Sequence, residues 1–289
     1  MSFSQRLAVL PQYLLPKLAL TRLMGRLAGA QAGSWSHAAI RRFIARYGVN
    51  MAEAANPQIE SYASFNEFFT RALRTGARPL ANADFLCPVD GAISQLGAID
   101  DDQIFQAKGH RYSTQALVGG DATLAAQLCN GAFATLYLSP KDYHRIHMPS
   151  AGRLRRMIHV PGDLFSVNPT TARGVPGLFA RNERVVCVFD LLADSQTRPR
   201  QFVLTLVGAT IVGSMATVWH GLVNPPRPGR IREWTYDDAP VVLDRGVEMG
   251  RFLLGSTVVL LYPKDTVRFT PTWAPGAVIR MGEAMGSSS

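Results

Sequence analysis

The part of the chain that most limits the fold begins near residue 85, where short apolar runs alternate with Gly, Pro, Asn and Asp. Residues that favour pleated surfaces dominate these runs, which are Ala92–Leu96, Phe133–Leu138, Arg184–Leu192, Gln201–Gly213 and Thr257–Leu261. Helical patterns do not alternate with the runs, which argues against a doubly wound parallel sheet. The sequence therefore predicts one β-rich domain, either a sandwich or a distorted barrel.

The first 75 residues have a helical pattern instead. Trp35, Ile40 and Phe43 recur at helical spacing before Gly48, and Ser64 with Glu67 forms a capping box that predicts a helix through about Leu73. We therefore expect an α+β protein, with a helical segment at residues 1–75 and the β-rich domain at residues 76–289.

Positive charge is concentrated in the helical segment. The formal net charge is +9, and the first acidic residue is Glu53. The basic residues before it are Arg6, Lys17, Arg22, Arg26, Arg41, Arg42 and Arg46. Such a block is attracted to an anionic surface, which is either a nucleic acid or an anionic lipid layer.

Apolar residues between these cations favour lipid over nucleic acid. Leu7, Leu10, Leu14 and Leu18 interleave with the basic residues, and no nucleic-acid-binding motif accompanies them. Within this basic N-terminal segment, no uncharged run reaches the roughly 18 residues that a membrane span requires. We expect a Pro-broken amphipathic segment that binds the membrane surface through Arg6, Lys17, Arg22 and Arg26. The alternative is that these helices simply pack on the rest of the protein.

The cysteines and histidines give no sign of a metal centre. Cys87, Cys129 and Cys187 form no CxxC or His/Cys cluster, which argues against a disulfide framework and against a structural zinc site. His144 and His147 lie three residues apart, but no HExxH motif supports a metal there. We therefore expect no metal.

Leu254-Gly255-Ser256-Thr257 lies between apolar residues that predict strand. The serine hydroxyl could attack the carbonyl of Gly255 and cut the chain at Gly255–Ser256. Elimination of the serine oxygen would then leave a pyruvoyl ketone at the new N-terminus, so the chain would make its own cofactor. Gly255 suits this attack because it lacks a Cβ and tolerates a strained backbone.

Asp90 and His147 could assist Ser256 as an orienting acid and a general base. Each also has a structural interpretation, because Asp-Gly is common in turns and the two histidines could be ordinary core or surface residues. Three functions remain open on these residues alone. The first is a self-processing pyruvoyl decarboxylase, the second is a membrane-associated serine hydrolase that uses Ser256, His147 and Asp90, and the third is a non-catalytic lipid-binding protein.

Motifs along nearly the whole chain resemble those of one family, the bacterial phosphatidylserine decarboxylases. They include Phe65-Asn66-Glu67-Phe68-Phe69, Asp90-Gly91-Ala92-Ile93-Ser94-Gln95-Leu96-Gly97, Tyr143-His144-Arg145-Ile146-His147-Met148-Pro149, Pro161-Gly162-Asp163-Leu164-Phe165-Ser166-Val167-Asn168 and Leu254-Gly255-Ser256-Thr257. Each motif alone is weak, whereas together they are highly specific. Departures from the family pattern lie mostly in linkers and in the C-terminal tail.

The resemblance implies a proenzyme that cuts itself into residues 1–255 and 256–289. It implies Ser256 as nucleophile, His147 as base and Asp90 as the group that orients His147. The pyruvoyl group made from Ser256 would form a Schiff base with phosphatidylserine and act as the electron sink for loss of CO₂. His144 would donate the proton or stabilise the Schiff base, and phosphatidylethanolamine would be released.

The resemblance also implies partners and a location. The partners are a phospholipid membrane with its phosphatidylserine and the two product chains of the protein itself, with no nucleic acid. The expected location is the cytoplasmic face of the bacterial inner membrane, where the protein would be peripheral. The sequence leaves open whether the chain forms a homodimer.

Overall fold

Helices come first along the chain. The computed structural model describes residues 3–107, 109–192, 200–211, 214–255 and 257–289, with side chains from Val9 onward. The first helices are α1 (Phe3–Leu14), α2 (Lys17–Gly29), α3 (Ser34–Tyr47) and α4 (Phe65–Phe69), and the later ones are α5 (Thr114–Leu117), α6 (Ala122–Leu128), α7 (Pro169–Gly174) and α8 (Leu178–Arg181). Pro16 precedes α2 and separates it from α1, while Pro11 lies inside α1. Within the described residues, no helix has the length and apolar character needed to cross a bilayer.

Two of the sequence-based helix boundaries can be compared with the structure. Gly48 ends α3 in the left-handed region, with φ 68°, as its position predicted. Ser64 caps α4 by accepting a hydrogen bond from the Glu67 amide at 3.2 Å. The prediction that this helix reaches Leu73 is wrong, because α4 ends at Phe69. Residues 72–74 leave the helix and pair with residues 53–55, as shown by the bridge between Ala54 and Leu73.

The strands follow, and most are short. They are β1 (Phe85–Leu86), β2 (Gly91–Ala98), β3 (Gln103–Ala107), β4 (His110–Ser113), β5 (Ala132–Tyr137), β6 (Arg145–His147), β7 (Gly152–Val160), β8 (Arg184–Leu191), β9 (Gln201–Val207), β10 (Met215–Thr217), β11 (Gly221–Asn224), β12 (Arg232–Thr235), β13 (Val241–Leu243), β14 (Glu248–Phe252), β15 (Thr257–Tyr262), β16 (Val267–Phe269), β17 (Val278–Ile279) and β18 (Ala284–Ser288). The predicted α+β class, with N-terminal helices before a sheet-rich region, is confirmed. The boundary at residues 75 and 76 stays a prediction.

The largest sheet in the described part of the chain has nine strands, and β15 lies inside it between β5 and β9. Its order is β12-β7-β8-β9-β15-β5-β2-β17, with β13 also pairing β7. The pairs in this sheet are antiparallel. Two smaller sheets have the orders β11-β10-β14-β6 and β1-β18-β16, and β3 pairs with β4.

Both faces of β15 are buried, which explains its unbroken apolar sequence. Val258 and Leu260 belong to a core that also contains Met215 and Phe252 from the smaller sheets. Val259 and Leu261 point the other way, because successive side chains of a strand alternate. They join a second core that includes Leu117, Leu178 and Val9 from α5, α8 and α1. The large sheet is thus covered by small sheets on one face and by helices on the other.

The N-terminal helices are fixed to this body along one side only. Val9 is 4% exposed and lies in the second core, and the Thr21 hydroxyl accepts a hydrogen bond from the Ile211 amide at 3.0 Å. In contrast, Leu14, Leu27 and Trp35 have 78%, 58% and 81% of their surface exposed. The helices therefore pack on the protein and also present an apolar outer side.

Candidate active site

Gly255 lies at the junction of two sheets. It follows β14, the third strand of a smaller sheet, and comes two residues before β15 of the large sheet. Leu254 contacts both the second core and a helical cluster of Ile40, Phe68 and Phe69. Ser256, the predicted nucleophile, lies outside the described residues.

His144 is the histidine beside Gly255. Its ring is fully buried and packs against Phe69, with 4.1 Å between the ring centroids. Nδ1 lies 2.8 Å from the carbonyl oxygen of Asp142, and since a carbonyl only accepts, Nδ1 carries the proton. Nε2 is then the basic nitrogen, and it has no hydrogen-bond partner among the described residues. A Cβ placed on Gly255 would lie 3.0 Å from this nitrogen.

Burial lowers the pKa of His144 to about 3. Desolvation is the main cause, because the charged imidazolium loses its hydration, and the positive charge of Arg71 acts in the same direction. The lowered pKa leaves the ring without a second proton near neutral pH in the protein without substrate. His144 is neutral there, with an available lone pair on Nε2.

His147 faces a different set of groups. It lies at the end of β6, where Nδ1 donates to the Gly246 carbonyl oxygen at 2.8 Å. Nε2 accepts a hydrogen bond from the Tyr143 hydroxyl at 3.1 Å. Burial lowers the pKa of His147, while the Gly246 hydrogen bond and nearby carboxylates, Asp90 among them, partly offset this effect. His147 is thus also a neutral base with a fixed tautomer.

Asp90 lies near His147 without touching its ring in the described contacts. The backbones are adjacent, because the His147 amide donates to the Pro88 carbonyl oxygen at 2.9 Å. The Asp90 carboxylate is instead held by Arg78 Nη2 at 2.5 Å and by the Met281 amide at 2.9 Å. Glu53 binds the same guanidinium at 2.7 Å. The orienting role of Asp90 remains a prediction, and in this geometry it would act through space.

A cavity of about 1340 Å³ leads to Gly255. Most of its lining is apolar, and it includes Leu27, Trp35, Phe43, Phe65 and Phe69. Arg41, Arg42 and Arg46 also contribute to the wall. Trp35, on one of the N-terminal helices, is a strongly exposed part of this lining. In the described part of the chain, no three His, Cys, Asp or Glu residues are grouped to hold a metal ion.

The predicted membrane-binding cations differ in accessibility. Arg22 and Arg26 are exposed on α2. Lys17 is half-buried, with its ammonium group 2.8 Å from the Gln12 carbonyl oxygen and 4.1 Å from the Phe165 ring centroid. The side chain of Arg6 lies outside the described residues.

Comparison with known proteins identifies the family. A family model described as phosphatidylserine decarboxylase matches residues 65–287, and a second model, described as PSD, matches residues 7–48. The chain belongs to the phosphatidylserine decarboxylase family. Its relatives include the phosphatidylserine decarboxylase proenzymes of Azoarcus sp. (strain BH72) and Dechloromonas aromatica (strain RCB). The first is 73% identical over 283 residues, covering 98% of this chain and 96% of the relative. The second is 71% identical over 286 residues, covering 99% of each.

Within this member of the phosphatidylserine decarboxylase family, several residues at the site were missed by sequence reasoning. Arg78 lies in none of the motifs, yet it binds the carboxylate of the candidate residue Asp90. Tyr143 and Gly246 set the tautomer of His147, and Phe69 covers His144. No periodic signal marks such residues, because their roles depend on contacts between distant segments. Phe69 and Tyr143 do lie within the motifs that resemble the family.

We predict that Arg78→Met destabilises the fold by about 3–5 kcal/mol, because it leaves Asp90 and Glu53 without their buried cation. Urea denaturation measures this change. Arg41→Met is the control, since the Arg41–Glu60 pair is exposed and exposed ion pairs contribute little to stability. An equal loss in both variants would contradict the prediction.

The contact between Arg78 and Glu53 also predicts how the stability of the fold depends on pH. The hydrogen bond from Arg78 lowers the pKa of Glu53 below its ordinary value of 4.5. A lowered carboxyl pKa stabilises the fold above the ordinary value, and this contribution is lost as the pH falls through the lowered pKa. The difference in free energy of unfolding between the wild type and Arg78→Met should therefore become smaller as the pH falls through the lowered pKa of Glu53.

Proposed function

We propose that the chain decarboxylates phosphatidylserine to phosphatidylethanolamine, using a pyruvoyl group that it makes from Ser256. The observation that carries this proposal is the unpartnered Nε2 of His144, which faces Gly255 at the end of an apolar cavity. The family relationship supports the same reaction. A pyruvoyl group at position 256 would supply a ketone that reacts with the substrate amine and accepts electron density when CO₂ leaves.

The chain's own residues would carry out the self-cleavage. The Ser256 hydroxyl attacks the Gly255 carbonyl carbon and gives up its proton to a base, and the peptide bond becomes an ester. Removal of the Ser256 α-proton then expels the Gly255 carboxylate, and hydrolysis of the resulting dehydroalanine releases ammonia and leaves the ketone. We assign the base to His147, whose Nε2 is the nitrogen without a proton.

His144 would transfer the proton during decarboxylation. The substrate amine arrives as an ammonium ion and must lose a proton before it can react with a ketone. The neutral Nε2 of His144 can take this proton and return it to the α-carbon once CO₂ has left. The substrate carries a carboxylate and a phosphodiester, and both negative charges raise the pKa of a nearby imidazole from its value in the protein without substrate.

The cavity would hold the lipid. Its apolar wall suits acyl chains, and its exposed edge at Trp35 lies among the outward-facing apolar residues of the N-terminal helices. A phospholipid could enter from a bilayer beneath this side without passing through water. We therefore propose that the protein binds peripherally at the cytoplasmic face of the inner membrane, through Arg22 and Arg26 together with these apolar residues. Lys17 and Arg6 stay predicted contributors.

The intact mass under denaturing conditions tests the proposal directly. We expect two chains split between Gly255 and Ser256, with the smaller chain lighter by the mass difference between a serine and a pyruvoyl terminus. Ser256→Ala should remain full-length, folded and inactive. A full-length, active wild type that reacts with a fluorophosphonate at Ser256 would instead support the serine hydrolase. Binding to lipid without turnover would support the non-catalytic alternative.

Substituting each histidine in turn should distinguish its role in self-cleavage from its role in decarboxylation. His147→Ala should block self-cleavage, since it removes the proposed base. His144→Ala should still cleave but lose decarboxylation by a factor of about 100 or more, the usual contribution of a positioned proton-transfer group. Gel analysis gives the cleavage and release of CO₂ gives the turnover, with exposed His220→Ala as the control. If His144→Ala blocks cleavage as fully as His147→Ala, the assigned roles are wrong.

Membrane docking can be tested with charge reversals. Arg22→Glu with Arg26→Glu should weaken binding to phosphatidylglycerol vesicles by roughly tenfold or more, because each surface cation contributes about 1 kcal/mol. Sedimentation with vesicles measures this binding. The same reversal at exposed Arg230 and Arg268, on the sheet-rich part, is the control. Equal losses in both double variants would show a general charge effect and no docking surface.

A further inference from the structure

Arg71 is a buried cation whose donors are largely unused. It follows Phe69 by two residues, and only 5% of its surface is exposed. Nε and Nη1 have no hydrogen-bond partner in the described structure, and Nη2 makes one long contact of 3.4 Å with the Lys141 carbonyl oxygen. The guanidinium group also lies 5.3 Å from the centroid of the Phe68 ring.

Arg71 has no ion-pair partner among the described residues. Asp90 and Glu53 are the nearby acids that act on it electrostatically, but both already bind Arg78. Burial lowers the pKa of Arg71, because the guanidinium loses its hydration. Buried charges in proteins are normally paired and hydrogen-bonded, so a guanidinium with two unused donor groups is ready to receive an anion.

The position of Arg71 is next to the candidate active site. Phe69 and Pro140, which line the cavity, are close in sequence to Arg71 and to its contact residue Lys141. Phe69 lies against His144, and the charge of Arg71 reaches His144 as well. An anionic group that binds Arg71 would therefore lie near His144, the histidine beside Gly255.

We infer that Arg71 binds the phosphodiester of the phospholipid substrate and so places its serine head group beside His144. This inference rests on the proposed function and adds a binding residue to it. A guanidinium suits the task because its planar donors match two phosphate oxygens at once. The anion would occupy Nε and Nη1, the two groups that the protein leaves without partners.

The phosphodiester is a better ligand for Arg71 than the carboxylate is. The carboxylate loses its charge as CO₂ forms, so a tight ion pair would stabilise the substrate more than the transition state and slow the reaction. The phosphodiester keeps its charge from substrate to product. A contact with it holds the head group throughout and costs nothing at the chemical step.

Two variants test this assignment. Arg71→Met removes the charge and keeps an apolar stem against Phe68, whereas Arg71→Lys keeps the charge without the fork of donors. Self-cleavage involves no lipid phosphate, so the cleaved form of each variant is compared with the cleaved wild type. The measurements are KM and kcat for phosphatidylserine in mixed micelles, and the inhibition constant of phosphatidylethanolamine, which has the phosphodiester but no carboxylate. Exposed Arg74→Met, three residues along, is the control.

We expect Arg71→Met to raise both KM and the phosphatidylethanolamine inhibition constant by about 10-fold to 100-fold, as for loss of a hydrogen bond to a charged group, with partial recovery in Arg71→Lys. A raised KM with an unchanged inhibition constant would mean that Arg71 binds the carboxylate, and this would overturn the inference. Unchanged values for both, or failure of both variants to fold or self-cleave, would make Arg71 structural and overturn it too. In each case the wild-type turnover reports separately on the proposed function.

Discussion

The pairing of β15 with β5 and β9 is the interaction on which the site depends. Thr257–Tyr262 is buried on both faces and hydrogen-bonded on both edges. Leu254 adds a second anchor through its contacts with two apolar clusters. Gly255 is consequently held against His144, and the ring of Phe69 closes the remaining side. Ordinary sheet packing thereby fixes Gly255, the residue before the proposed cleavage point.

Desolvation governs the chemistry of this site. The two candidate histidines donate Nδ1–H to backbone carbonyls, which fixes the same tautomer in each. Burial favours the neutral form of both rings. Nε2 of His144 has no partner among the described residues, whereas Nε2 of His147 accepts a hydrogen bond from Tyr143. Asp90 and Glu53 bind Arg78, whereas Arg71 has no ion-pair partner among the described residues. This separation would let the substrate supply an anion for Arg71 when it binds.

Much of the fold could be predicted because it depends on local pattern. The apolar runs at residues 92–96 and 257–261 lie within strands, and those at 133–138, 184–192 and 201–213 overlap β5, β8 and β9. Alternation and β-branched residues are local signals, which is why these runs could be predicted. The end of α4 could not be predicted, because it is set by pairing of residues 72–74 with residues 53–55. At the site, the motifs pointed to His144, His147 and Asp90. They could not show that Arg78 holds Asp90, because that contact joins segments with no shared periodicity.

The path of the last 33 residues has a consequence for the protein after a cut at Gly255–Ser256. Residues 257–289 contribute β15 to the inside of the large sheet, β17 to its edge, and β16 and β18 to a smaller sheet. The Met281 amide also donates a hydrogen bond to Asp90, which would belong to the long product chain. The short chain could not dissociate from such an interleaved arrangement unless the whole protein unfolded. Self-cleavage would therefore be a one-way step in assembly, and fragments separated by denaturation would have to fold together to recover the site.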